Sequence, residues 1–157
     1  MDDLVLARAV HVLAIVHWIG GVSLVTLVIL PAVQHLAEPS RRAALFEAIE
    51  GRFAWQARVS VTLAGLSGFY MAWRLDVWAL FGDPSFWWLP AMVLVWAIFT
   101  FVLFVAEPLF LHAWFRRRAE RDPDGTFRLV LRGHRILLTV SAATVGGAVL
   151  GAHGVVF

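Results

Sequence analysis

Long apolar runs separated by short charged links set the organisation of this chain. The first run, residues 4–36, is longer than the roughly 20 residues that cross a bilayer, which predicts a helix that tilts, kinks or projects, with Pro31 as the kink. It follows acidic rather than basic residues, exceeds a signal-peptide core and lacks a small-residue cleavage site, so it reads as a mature helix. A polar link, Glu38-Pro39-Ser40-Arg41-Arg42, leads into a short amphipathic surface helix over 41–52. The second span is predicted over 59–80 and runs out through Tyr70, Trp73, Trp78 and Phe81. Gly82-Asp83-Pro84-Ser85 is a turn by composition. The third span, 86–115, opens on Phe86-Trp87-Trp88, an interfacial aromatic belt, and carries Glu107-Pro108 in its final third. A second charged link precedes a fourth span over 129–156, whose latter half is rich in small residues: Ser141, Ala142, Gly146, Gly147 and Gly151. Such a face admits another backbone or a flat macrocycle.

Charge placement then sets orientation. Arg41, Arg42, Arg52 and Arg58 flank the first link, and Arg116, Arg117, Arg118, Arg121, Arg128, Arg132 and Arg135 flank the third, whereas only Arg8 and Arg74 lie towards the other side. Arginine marks cytoplasmic loops, so the pattern predicts an all-α, integral membrane four-helix up-down bundle with both termini on the periplasmic side of a bacterial inner membrane. The whole chain, residues 1–157, forms one transmembrane domain in this reading.

Composition sharpens the picture. With 61% hydrophobic residues and a mean hydropathy of +0.78, the chain lies outside the range of soluble domains and leaves no length for a sizeable soluble one. Cysteine is absent, which excludes disulfides, thiolate zinc and iron–sulfur clusters and leaves six histidines as the main stock of metal ligands. All 13 basic residues are arginine, and their clustering at membrane edges points to topology or anionic lipid, not nucleic acid. No nucleophile constellation or phosphate-binding glycine loop is present, so neither a hydrolase nor an ATP-driven mechanism is indicated.

The candidate chemistry lies with imidazoles inside apolar runs, where they are costly without a partner. His11 and His153 share the outer level of the bundle, together with Met71 and Met92. His17 lies about 9 Å deeper than His11 and some 120° around the helix, within reach of another face of a large cofactor. His35, His112 and His134 collect at the inner ends. Facing imidazoles of this kind suit axial ligation of one or two b-type haems, with His11 and His153 at an outer haem, His17 as an alternative ligand and His112 with His134 at an inner one. Soft thioethers with imidazole also suit Cu(I), which gives His11, His153, Met71 and Met92 as an alternative copper site. The simpler roles are a bond from His11 to a serine, threonine or carbonyl of a neighbouring helix, methionines filling core gaps, Trp18 as a packing aromatic, and Glu107 paired with a loop arginine.

The spacing His11-x6-Trp18-Ile19-Gly20-Gly21 at the head of a first membrane helix resembles the opening helix of the copper-resistance D (CopD-type) membrane proteins and of the related four-helix HemJ-type protoporphyrinogen oxidases. The resemblance covers about a dozen residues. It implies His11 as a ligand with Trp18 and Gly21 as packing partners, and either haem b or copper as the guest. The oxidases also use a lysine in a later helix, and this chain has none, so the resemblance implies a haem-carrying or copper-handling relative. The resulting expectation is haem-based electron transfer or membrane oxidoreduction with a quinol or periplasmic redox partner. Copper passage, or a role as an assembly subunit of a larger complex, are the alternatives, and a homo-oligomer is compatible with each.

Overall fold

The computed structural model describes residues 3–155 and consists, over those residues, of helices and short turns alone. Four long helices form the bundle: α1, Asp3–Leu36; α2, Pro39–Arg74; α3, Trp88–Arg121; and α4, Pro123–Ala152. α1, α3 and α4 are each long and apolar enough to cross a membrane. Large side chains such as Leu13, Val16, Leu94 and Leu109 stand on the outside, each more than 60% exposed, which is the inverse of a soluble bundle and the pattern expected of helices facing hydrocarbon.

Helix ends follow local chemistry. Ala37 and Glu38 are extended, and a proline at the start of α2 prevents α1 from continuing. The predicted surface helix and second span are a single 36-residue helix, because nothing between Arg52 and Val59 can interrupt one. α2 stops at Arg74 rather than at residue 80: Asp76 adopts a left-handed φ of 49°, a conformation Asp tolerates better than most residues, and short 3₁₀ turns at Trp78–Gly82 and Pro84–Phe86 follow. α4 begins six residues earlier than predicted, since the Asp122 carboxylate caps the Gly125 N–H at 2.8 Å and Pro123 occupies the first turn. It ends at Ala152, with Gly154 left-handed just beyond; the predicted terminus at Val156 lies outside the described residues.

Both internal proline sites coincide with a widening of the helix. Val25–Ile29 in α1 is π-helical immediately before Pro31, and Val102–Leu111 in α3 is π-helical around Pro108. A proline removes one N–H and crowds the preceding turn, and a change of register to i→i−5 absorbs both.

Two clusters make the core. One joins Ala14, Trp18 and Val22 of α1 to Val61 and Ala64 of α2 and to Val95 and Phe99 of α3. The other, towards the arginine-rich end, centres on Phe46, Phe115 and Phe127, one ring each from α2, α3 and α4, with centroids 5.7–6.0 Å apart. Glycines act as sockets for flat rings: the Trp96 indole lies over Gly65 and the Trp88 indole over Gly151, each close enough to exclude even a Cβ. The small-residue face of α4 therefore receives flat rings, and at Gly147 and Gly151 they are the indoles of Trp87 and Trp88. Ion pairs fasten both ends, Asp3 with Arg74 at one and Arg42 with Asp124 at the other.

Candidate functional site

His11 lies on the inward stripe of α1. Residues 11, 14, 18, 22 and 25 recur at helical spacing, and the last four are buried. The His11 ring crosses to α2, where Nδ1 lies 2.9 Å from the Ala64 carbonyl and 3.2 Å from the Ser67 hydroxyl. A carbonyl oxygen only accepts, so Nδ1 carries a proton, and in the neutral form of the ring the lone pair is then on Nε2. Ser67 donates its own proton to the Leu63 carbonyl and is left to accept from His11. Gly68 completes the seat, for a Cβ there would stand 2.9 Å from the ring. The bond to a neighbouring helix expected of a membrane histidine is thus present, in the form that fixes one tautomer.

The other predicted ligands are distributed around the bundle. His153 is exposed at the end of α4, its Nδ1 donating to the Val149 carbonyl of its own helix at 2.7 Å. His17 and His35 are exposed on the outside of α1. Met71 on α2 and Met92 on α3 are half-buried. His134 is half-buried against the Phe46 ring and donates to the Val130 carbonyl at 3.0 Å. Among the described residues, no group of three or more His, Asp or Glu is arranged to hold a metal ion. Trp18 packs edge-on against Phe99 at 4.8 Å, and its indole N–H, like the hydroxyls of Thr100 and Ser141, is buried without a partner among the described residues.

A second polar centre forms at the arginine-rich end. Glu107, buried in the π-helical part of α3, pairs with Arg58 of α2 at 3.3 Å and lies 3.5 Å from His112 Nε2. Arg58 also donates through Nε to the Leu103 carbonyl at 3.0 Å. In π register the group that would donate to that carbonyl is the N–H of residue 108, which is proline and has none. The guanidinium therefore satisfies the backbone group that proline leaves open and, at the same time, neutralises the adjacent carboxylate. Glu50 approaches from α2: burial, with Glu107 and Glu47 nearby, pushes its carboxyl up to about 7, and one oxygen of Glu47 is buried without a partner among the described residues. Pairing of Glu107 with an arginine was legible from its place in an apolar run; the approach of Glu50 to it was not.

No family model, curated protein or solved structure matches this chain.

Proposed function

We propose that the chain is a multi-pass protein of the bacterial inner membrane, with all four helices crossing and both termini periplasmic, that binds a b-type haem through His11 and serves electron transfer. The observation that carries the haem reading is the His11 seat. An imidazole inside an apolar helix, held by Nδ1 on the Ala64 carbonyl, presents a basic Nε2 in a fixed orientation. Haem-ligating and metal-ligating histidines are oriented in this way by a backbone acceptor behind the ring. The donor chemistry therefore fits a haem iron. His153 offers a second imidazole with its Nδ1 likewise held on a carbonyl, and His134 a third. When bound, haem supplies one-electron redox chemistry; the protein's part is to hold His11 in one tautomer, surround the site with apolar side chains and exclude water. A quinol or periplasmic redox protein is the matching partner class.

Absorption spectroscopy of protein purified from haem-sufficient cells, with metal analysis on the same sample, tests this reading. The expected result is a Soret band with about one iron per chain or more, lost in His11→Ala and retained in His17→Ala. Colourless protein, or protein carrying copper in place of iron, overturns it.

A further inference from the structure

The π-helical turn of α1 leaves space beside α2. An open cleft of about 440 Å3 lies there, within the roughly 300–1,000 Å3 of small-ligand sites. Val25 and Ile29 of α1 and Ile49 and Phe53 of α2 form its apolar wall. The Phe53 ring lies directly on the backbone of Gly21, where a Cβ would stand 2.0 Å from the ring. Arg52 and Gln56, both exposed, supply the polar side. Arg52 makes no ion pair among the described residues, whereas Arg42, Arg58 and Arg74 each have a carboxylate. The cleft thus joins an apolar wall, an uncompensated guanidinium and an amide donor at the end of the bundle where arginines concentrate.

We propose that this cleft is a binding site for one anionic phospholipid, an acyl chain lying along Val25, Ile29, Ile49 and Phe53 and the headgroup phosphate on Arg52. Two features select this occupant. Guanidinium pairs with phosphate in fork geometry, and an apolar wall beside a cation matches an amphiphile rather than a free anion. The cleft borders the π-helical turn of α1, and such turns recur at functional sites. The inference rests on the chain lying in a membrane and is independent of haem at His11.

Native mass spectrometry of the full chain, released from micelles containing equimolar phosphatidylglycerol and phosphatidylcholine, tests it. One phosphatidylglycerol should be retained about fivefold over phosphatidylcholine, the scale of one basic residue at a lipid surface. Arg52→Gln should bring the two lipids to parity, Ala48→Phe, which fills the cleft, should remove both adducts, and Arg41→Gln should keep the preference; excess inorganic phosphate should not displace the lipid. Parity in the unmodified chain, a preference that survives Arg52→Gln, or adducts undiminished in Ala48→Phe would each overturn the proposal. Circular dichroism reports whether each variant folds, and should Arg52→Gln fail to fold, the preference in the unmodified chain and its loss in Ala48→Phe decide. The Soret band of the same samples reads the haem proposal separately.

Discussion

A carboxyl group keeps its proton more tightly where water is scarce and other carboxylates are close, and Glu50 meets both conditions. Burial, with Glu107 and Glu47 nearby, pushes its carboxyl up to about 7, above its ordinary value near 4.5. Between those values the native state binds more protons than the unfolded state, so stability falls as pH rises. The contribution is complete below the unfolded pKa and lost as pH passes through about 7. Glu50→Gln, a permanent stand-in for the protonated group, should therefore raise the unfolding midpoint in detergent at about pH 8, by the equivalent of about 1–3 kcal/mol. It should also flatten the decline between about pH 5 and 8, as followed by tryptophan fluorescence; parallel pH profiles for the two proteins would refute this. His11 illustrates what a sequence discloses at this scale. Its depth in an apolar run called for a partner, and the partner is a backbone carbonyl, which every residue carries and which no sequence pattern singles out. The Glu47, Glu50 and Glu107 grouping was hidden for a different reason: Glu47 and Glu50 read as the polar face of a surface helix, and only the unbroken run of α2 brings them to α3.

Helix starts follow local rules at Pro39 and at Asp122 with Pro123, yet the second of these was not read from the sequence: the charges around Pro123 suggested a loop, and the fourth span was expected to begin only at residue 129. The π segments were not legible, since Pro31 and Pro108 announce a disturbance without specifying whether the helix bends or widens. What stabilises the second widening is Arg58, fifty residues away in sequence. Arg58→Met removes at once the partner of the buried Glu107 carboxylate and that of the Leu103 carbonyl, and should cost about 3–5 kcal/mol. Pro108→Ala restores an N–H to the 103 carbonyl, so in the Arg58→Met background it should recover about 1 kcal/mol, whereas in the unmodified protein, where Arg58 already occupies that carbonyl, its gain is smaller. A double-mutant cycle read by unfolding in detergent measures the coupling; strictly additive effects would show that Arg58 does not compensate for the proline.

For the molecule as a whole, the apolar pattern predicts four spans, the second over 59–80, while the helices long and apolar enough to cross a membrane are α1, α3 and α4, since α2 as a whole carries arginine and glutamate in its first half. Packing supplies what hydropathy withholds. α2 runs antiparallel to α1 over its length: Phe53 lies on Gly21, Ala64 and Gly68 receive His11, and Tyr70 and Arg74 bind Asp3. A helix fastened to its neighbour at both ends and in the middle traverses whatever that neighbour traverses, so α2 should cross with α1. The alternative is α2 lying along the membrane surface while α1, α3 and α4 cross, and parity separates the two. With four crossings, Glu38 and Glu120 face one side and Gly82 the other; with three, Glu38 and Gly82 share a side and Glu120 is opposite. The chain has no cysteine, so Glu38→Cys, Gly82→Cys and Glu120→Cys can each be read against a silent background, and a side chain at Gly82 meets nothing within 4 Å. A membrane-impermeant maleimide applied to spheroplasts should label only Gly82→Cys, the other two reacting after permeabilisation. Labelling of Glu120→Cys alone in intact spheroplasts would place α2 on the surface, part it from α1 and dismantle the His11 seat along with the four-span topology.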